Sequence, residues 1–193
     1  MKDPVARETA PRCGSEIRLT YEDYLRVPAG LRYELVEGEL RMPPSPSTFH
    51  QRVSKRLLRA LMEAHEDKGR GEVFDAPCDV VLSEHNVVQP DLFFIFKERL
   101  GIVDKANVLG VPDIVFEILS ESTDQWDRVT KRRLYAKYGV KEYWIIDLQA
   151  RTIEVASHSG TDFTTAGVYP EGAIARSILV PDLSVDACSL FKE

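Results

Sequence analysis

The chain has 193 residues, 44% of them hydrophobic and 29% charged, and a formal net charge of −6. This balance is typical of one globular domain, and because no run of 18 apolar residues is present, no membrane span is expected. The acidic charge does not indicate nucleic-acid binding, which is typical of basic domains. Three widely spaced cysteines, Cys13, Cys78 and Cys188, fit neither a disulfide framework nor a zinc site and favour a reducing cytoplasm.

The N-terminal part predicts a lead-in, a short helix and a hairpin. Residues 1–18 have no apolar core, so we expect a flexible lead-in rather than a secretory signal, followed by a single domain over 19–193. Residues 19–27 predict a short helix, with Thr20 as its N-cap. Residues 32–41 predict a β-hairpin.

The rest of the chain alternates helix and strand patterns. Apolar residues at helical spacing predict a helix from about Thr48 to Glu66. A second helix is expected from Ser122 or Thr123 to Tyr138, ended by Gly139. Strands are expected at residues 72–82, 87–96, 112–119, 142–147, 152–156, 163–169 and 177–179. This order predicts an α/β fold.

The strand over residues 112–119 is a nearly continuous apolar run that contains one carboxylate, Glu117. Apolar runs of this kind are typical of strands covered on both faces, where an ionised carboxylate needs a cationic partner. A second acid, Asp91, lies in the strand predicted at 87–96. Either acid alone is as typical of a solvent-facing strand end, but the pair predicts a site for a divalent cation.

Strand geometry separates Glu117 from the other acid on its strand. Asp113 and Glu117 are four residues apart, or roughly 13 Å at about 3.3 Å per residue, which is too far to share one metal. Asp91 can lie on a neighbouring strand, about 4.8 Å away. Asp113 is therefore interpreted as a solvent-facing strand start.

Lys131 lies on the predicted helix that follows Glu117. At 100° per residue it shares a helix face with an apolar stripe, whereas Arg132 and Arg133 do not. The residues on that face are Asp124, Asp127, Leu134, Tyr135 and Tyr138. Two interpretations stay open for Lys131: a lysine extending from the edge of the stripe to solvent, or a catalytic amine above the two acids.

Two basic clusters weaken the objection from net charge. One comprises Arg128, Lys131, Arg132, Arg133, Lys137 and Lys141, and the other Arg52, Lys55, Arg56 and Arg59. Each alone is typical of a solvated helix face. In a nucleic-acid-binding protein, the first cluster would contact the phosphate backbone without reading sequence.

Several separated motifs occur in a characteristic order. They are Tyr33–Gly38, His50, Gln89–Asp91, Pro112–Thr123 and Asp127–Asp147. Over about Leu19 to Val155 this pattern resembles the Uma2 family of restriction endonucleases, within the PD-(D/E)XK nuclease superfamily. The resemblance implies a restriction-endonuclease-like mixed sheet core flanked by helices, with an N-terminal β-hairpin.

The resemblance also implies roles for individual residues. Asp91 matches the metal-binding aspartate of the superfamily, Glu117 its acidic partner, and Glu34 an additional acid beside the metal. The carbonyl of Ile118 would be a further metal ligand, and Gln89 would help to orient the site.

One position departs from the superfamily pattern. The core motif would place a lysine two residues after Glu117, where this chain has Leu119. The resemblance implies that Lys131 on the following helix supplies the missing amine.

The function implied is that of a metal-dependent endonuclease using Mg²⁺ or Mn²⁺ on nucleic acid, with DNA favoured over RNA. We expect a homodimer in the cytoplasm. The alternative is a non-catalytic nucleic-acid-binding or regulatory protein on a retired nuclease fold, which the negative charge and Leu119 favour. His50 is interpreted as a capping or packing group, and His65, His85 and His158 are expected to be solvated.

Overall fold

The computed structural model describes residues 18–28, 32–120 and 124–192. The strands are β1 (Glu34–Val36), β2 (Glu39–Arg41), β3 (Gly71–Asp75), β4 (Val80–Ser83), β5 (Asn86–Val88), β6 (Leu92–Phe96), β7 (Val108–Leu109), β8 (Ile114–Leu119), β9 (Glu142–Asp147), β10 (Thr152–His158), β11 (Phe163–Pro170), β12 (Ile174–Arg176) and β13 (Ser184–Asp186). The helices are α1 (Tyr21–Tyr24), α2 (Thr48–Ala64), a 3₁₀ segment (Lys97–Ile102), a π-helical segment (Trp126–Lys131), α3 (Arg132–Tyr138) and α4 (Ala187–Phe191).

The strands of the described residues form a central sheet, a second sheet and a small ribbon. The central sheet has the order β11-β10-β9-β8-β6-β3 and is mixed, because β8 and β9 are parallel while the other neighbours are antiparallel. The second sheet has the order β2-β1-β5-β4-β7, and β12 pairs with β13. The result is the mixed α/β architecture that the sequence predicts.

The central sheet is covered on both faces. One face carries Phe116 and Ile118 of β8 and packs against α2 and the C-terminal segment. The other face carries Val115 and Leu119 and packs against the second sheet and α3. Because side chains alternate along a strand, Glu117 projects from the face that Val115 and Leu119 share. All six residues of β8 are buried, as the apolar run predicts.

Several predicted element ends are confirmed. Thr20 forms a capping box with Asp23 at the start of α1. Gly139 ends α3 in the left-handed conformation, with φ at 84°. The predicted caps Ser122 and Thr123 lie outside the described residues, as does the predicted lead-in up to residue 17. Within the described ranges, no helix combines the length and apolar character needed to cross a membrane.

Two single-strand predictions are wrong in the same way. The strand predicted at 72–82 is two strands in different sheets, and so is the one predicted at 87–96. Each break contains a proline, Pro77 or Pro90, which has no N–H group to donate to a ladder. The second break places Asp91 where the chain crosses from the second sheet to the central sheet.

The strand predicted at 177–179 is also wrong. The N–H groups of Ile178 and Leu179 donate instead to Glu142 Oε2, at 2.8 and 2.9 Å. These donors therefore serve a buried carboxylate, and the C-terminal ribbon forms from β12 and β13 on either side.

Candidate active site

The strands that carry the two predicted metal-binding acids are neighbours. β6 and β8 are antiparallel, with Leu92 opposite Phe116. Asp91, one residue before β6, therefore comes opposite Glu117, and opposite residues of an antiparallel pair project from the same face. The Ile118 N–H donates to Asp91 Oδ2 at 2.8 Å, which joins the aspartate to β8 beyond the end of the ladder.

Lys131 lies between two acids that come from different sheets. Its Nζ is 2.9 Å from Glu34 Oε1 on β1 and 3.0 Å from Glu117 Oε1 on β8. All three side chains are at most 6% exposed. The helical stripe predicts that Lys131 points toward the sheet, and its contact with Glu117 on β8 agrees with that prediction. Lys131 thus lies in the interior instead of extending to solvent.

Lys131 is the last residue of the π-helical segment. Such segments are rare in proteins, and those that occur are often found at functional sites. The N–H of Arg132 donates to the Asp127 carbonyl, a span of five residues, and the Tyr143 hydroxyl donates to the same carbonyl at 3.1 Å. Asp127 and Lys131 are both buried, with Asp127 Oδ1 3.7 Å from Nζ. Asp127 is a member of the site to which the sequence analysis gave no role, although it shares a helix face with Lys131.

The electrostatics of Glu117 reflect its surroundings. Burial raises the pKa of its carboxyl well above the usual value; the charge of Lys131 opposes this, while Asp127, Asp91 and Glu34 add to it. Tyr135 donates a hydrogen bond to Glu117 Oε1 at 2.7 Å. Burial lowers the pKa of Lys131, but the charges of Glu117, Glu34 and Asp127 outweigh it and hold that pKa well above its usual value.

His50 lies in the first turn of α2, whose N-cap Ser47 accepts a hydrogen bond from the His50 N–H. Its Nε2 is 3.2 Å from Asp91 Oδ2. Burial lowers its pKa, but the hydrogen bond and charge of Asp91, together with the Ile118 carbonyl, raise the pKa overall. His50 is therefore in contact with the candidate metal-binding region, a position that the capping interpretation missed because the partners are 41 residues apart.

A divalent cation fits the donor chemistry of this site. Four carboxylates, those of Glu34, Asp91, Glu117 and Asp127, line one cleft with a single lysine. These four acids outnumber the lysine among them, and after burial, which is the largest cause, the charges of Asp127, Asp91 and Glu34 contribute to the raised pKa of Glu117. Hard oxygen ligands of this type suit Mg²⁺ or Mn²⁺.

The described side chains do not form a complete set of metal ligands. Among the described residues, no three acidic, histidine or cysteine side chains converge as a metal-binding group. Mg²⁺ sites commonly use only one or two carboxylates and keep several waters, so a pair of acids with one carbonyl is compatible with that ion. Ile118 lines the cleft, and its carbonyl lies beside His50.

The resemblance implies that Gln89 helps to orient the site, and its side chain and backbone contact different groups. Its side chain accepts from Arg32 Nε at 3.2 Å and donates to Asp79 Oδ1 at 2.7 Å. Only its backbone N–H meets the acids, donating to Glu34 Oε1 at 3.0 Å. Gln89 therefore orients Arg32 through its side chain and Glu34 through its backbone.

Asp113 is not the solvent-facing strand start that we expected. It is fully buried, with Arg99 Nη1 at 2.6 Å and Lys141 Nζ at 2.8 Å from its Oδ1. Its Oδ2 accepts from the Phe96 N–H at 3.0 Å. The prediction failed because both cationic partners are remote from Asp113 in the sequence.

The predictions of solvated histidines are wrong as well. His65 is fully buried and stacks on Phe94 with ring centroids 3.9 Å apart. His85 and His158 are half-buried and bond to the carbonyls of Leu19 and Ala136.

The basic cluster around Lys131 is largely paired within the chain. Arg128 contacts Asp124 and Asp147, and Arg132 contacts Glu154. Arg133 is exposed and contacts Glu37. Guanidinium groups engaged in this way are poorly placed for the phosphate contacts expected of this cluster.

Comparisons with known proteins identify the family and a similar fold. The profile of the Uma2 family, described as "Putative restriction endonuclease", matches residues 21–187. A crystal structure described as "a putative nuclease belonging to DUF820", from Anabaena variabilis, matches with a TM-score of 0.76 at 19% identity, covering 90% of this chain and 97% of that one. At this identity the likeness shows the fold alone. No curated protein matches. The profile spans most of the chain, and the protein belongs to the Uma2 family.

Proposed function

We propose that this protein is a metal-dependent endonuclease that hydrolyses phosphodiester bonds, with DNA as the substrate. Family and fold support a nuclease. The observation that carries the proposal is the Lys131 amine held 2.9 and 3.0 Å from Glu34 and Glu117, on the face from which Asp91 also projects. A buried cation among several carboxylates costs stability in a core, and it is suited to stabilise the charge of a phosphoryl-transfer transition state.

Asp91, Glu117 and the Ile118 carbonyl are the groups that would hold Mg²⁺ or Mn²⁺. When bound, such an ion polarises a phosphoryl oxygen and lowers the pKa of a coordinated water. His50 and the Ile118 N–H both contact Asp91 Oδ2 and so hold that carboxylate in place. Glu34 orients Lys131 from the opposite sheet.

Lys131 has two conceivable roles, acceptance of a proton from water or stabilisation of negative charge. Two carboxylates within 3.0 Å keep the amine protonated, so it has no lone pair with which to accept a proton. We therefore assign it to stabilising the charge that develops on the phosphate in the transition state. Tyr135 holds Glu117 in place through a hydrogen bond, and Glu34 contacts the Lys131 amine directly. Together these contacts fix the position of the amine.

The rival function is nucleic-acid binding without catalysis. One observation favours it: Lys131 already partly neutralises two of the acids, and no three-ligand group is formed in the described ranges. A homodimer and a cytoplasmic location are further proposals from the sequence, the first of which light scattering tests.

The test is a cleavage assay on supercoiled, linear duplex and single-stranded DNA, with Mg²⁺ or Mn²⁺ and with EDTA. We expect cleavage that requires metal and disappears in Glu117→Gln, a variant that removes the charge and keeps the size. Cleavage that persists in Glu117→Gln would assign the activity to another site or a contaminant. Binding without cleavage of any DNA form would establish the rival function.

A further inference from the structure

The mouth of the cleft differs in chemistry from its floor. We use "mouth" for Arg32, Arg41, Trp126 and the loop Pro43–Pro46, which line the cleft together with the acids beneath them. Arg32 and Arg41 are half-buried. Within the described ranges neither arginine forms an ion pair, although acids surround the floor of the same cleft.

Arg32 is held in place by a chain of hydrogen bonds. Gln89 accepts from Arg32 Nε, and Gln89 in turn donates to Asp79, which also accepts from the Tyr24 hydroxyl at 2.9 Å. This chain of hydrogen bonds orients the guanidinium through a neutral amide, and the guanidinium forms no ion pair with the described carboxylates. An arginine that is fixed and not neutralised is suited to bind a phosphate.

Arg41 and Trp126 form a stacked pair at the other side of the mouth. The guanidinium carbon lies 3.9 Å from the centroid of the indole ring. Trp126 is half-buried, and its indole N–H is buried without a hydrogen-bond partner in the described part of the chain. A planar guanidinium on an indole ring provides a flat, cationic surface of the kind on which unpaired nucleobases stack.

The acids and the lysine lie at the floor of a small cleft, which favours a single strand over a duplex. The space open to the centres of water molecules is about 60 Å³. Glu117 and Lys131 are only 2% and 5% exposed, whereas Arg32, Arg41 and Trp126, which line the same cleft, are half-buried. A strand whose bases are paired presents its phosphates on a broad double helix, whereas a single strand can enter with its base turned to one wall.

We propose that the mouth binds an unpaired segment of a single nucleic-acid strand, with Arg32 on a phosphate and the Arg41–Trp126 pair under a base. This inference rests on the proposed function for the position of the scissile phosphate, and it makes single-stranded nucleic acid the substrate class. The site would then act on single strands, flaps or frayed ends rather than on the interior of a duplex.

The first experiment measures binding by fluorescence anisotropy with the full chain in EDTA, where hydrolysis cannot occur. The probes are a labelled 12-nucleotide oligo-dT and a 12-base-pair duplex. We expect the single strand to bind at least about tenfold more tightly, in line with the stacking of one or two bases. Equal or tighter binding of the duplex would overturn the proposal, as would the absence of single-strand binding.

Variants then test the residues. Trp126→Ala should weaken single-strand binding about tenfold or more, while Trp126→Phe, which keeps an aromatic face, retains most of it. Arg32→Gln should weaken binding and lower the slope of log K against log salt by about 0.7, as for the loss of one phosphate contact. Arg41→Gln should weaken binding through loss of the surface on which the base stacks. The matched control is Arg133→Gln, an exposed arginine paired with Glu37, which should have little effect.

Tryptophan fluorescence gives a readout that a structural role would not change. The chain has two tryptophans, and Trp144 is fully buried in the core. Quenching on titration with oligo-dT should therefore come from Trp126 and disappear in Trp126→Phe. Quenching that persists in that variant, or Trp126→Ala binding as tightly as the wild type, would overturn the proposal. Neither measurement needs cleavage, so failure of the nuclease proposal leaves this test intact.

Discussion

Strand β8 has a buried acid near each end, and the two are balanced differently. Asp113, just before the strand, meets two cations and a backbone N–H. Near the other end, Glu117 shares one lysine with Glu34 and Asp127. The sequence patterns of the two acids are alike, but their surroundings make one a structural link and leave the other with surplus negative charge.

The two acids are therefore expected to differ in role: Asp113 stabilises the fold, and Glu117 belongs to the candidate active site. A buried acid with matched partners joins elements; Asp113 joins β8 to the 3₁₀ segment after β6 and to the turn before β9. An acid cluster with too few cations costs stability and persists where a cation or a charged transition state is to be bound. The following predictions test that contrast.

The largest effect on cleavage is expected when the acid near one end of β8 is replaced by its amide, and the acid at the other end serves as the comparison. Glu117→Gln should lower metal-dependent cleavage at least about a thousandfold, as for removal of a key electrostatic group. Asp113→Asn should leave cleavage intact and lower the free energy of unfolding by about 1–3 kcal/mol, since Arg99 and Lys141 are partly exposed. Chemical denaturation and cleavage rates of both variants provide the check, and the reverse pattern would refute the contrast.

The pH dependence of the unfolding free energy, compared between the wild type and Glu117→Gln, tests the same contrast. Burial raises the pKa of Glu117 in the fold, against Lys131, so the folded chain holds this proton more tightly than the unfolded chain. Its contribution to stability is therefore present below the usual glutamate range and is lost as pH rises through the folded pKa. The variant should be as stable as the wild type or more so at pH 7.

Lys131→Met is expected to have the next largest effect. Cleavage should fall about a hundredfold because the charge on the transition state loses its partner. The unfolding free energy at pH 7 should fall by about 3 kcal/mol, since Glu34 and Glu117 are left buried and unpaired. That loss should shrink as pH falls and the acids bind protons. Unchanged cleavage in Lys131→Met, with loss in Arg132→Met or Arg133→Met, would move the amine's role to another residue.

Two buried histidines extend the comparison. His50 has Asp91 as a partner, whereas burial and the charges of Arg70 and Lys68 lower the pKa of His65 from 6.5 to about 4. Between those values the unfolded chain binds a proton that the folded chain excludes. Stability should therefore decrease as the pH is lowered from 6.5 to about 4, by about 3 kcal/mol at most. His65→Leu should remove this acid-side loss, and an unchanged pH profile would contradict the assignment.

The smallest effect is expected from Lys141→Met, the counterpart of Lys131→Met. Lys141 is half-exposed and Asp113 keeps Arg99, so the unfolding free energy should fall by less than about 1 kcal/mol. Cleavage should be unchanged. A large stability loss here would show that the two lysines are more alike than their surroundings indicate.

Local sequence patterns predict those parts of the fold and the site that depend on residues close together in the chain. The apolar run predicts β8, and the helical stripe predicts that Lys131 points toward the sheet. The failures involve partners distant in sequence: Asp113 with Arg99 and Lys141, and His50 with Asp91. No periodicity encodes such pairs.

Two other failures have local physical causes. A run of strand-forming residues conceals a crossover between sheets when a proline interrupts it, as at Pro90. The helix predicted up to Tyr138 is a regular α-helix, whereas Trp126–Lys131 is π-helical, a rare departure that a wheel drawn at 100° per residue does not include.

The central claim is that the acids at the Glu117 end of β8 bind a divalent cation. The most direct measurement is Mn²⁺ binding by isothermal titration calorimetry, in the wild type, Asp91→Asn, Glu117→Gln and Asp113→Asn, without nucleic acid. The account predicts binding in the wild type and in Asp113→Asn, and its loss in the other two variants. Wild-type-like binding in Asp91→Asn and Glu117→Gln, or no binding by the folded wild type, would contradict it.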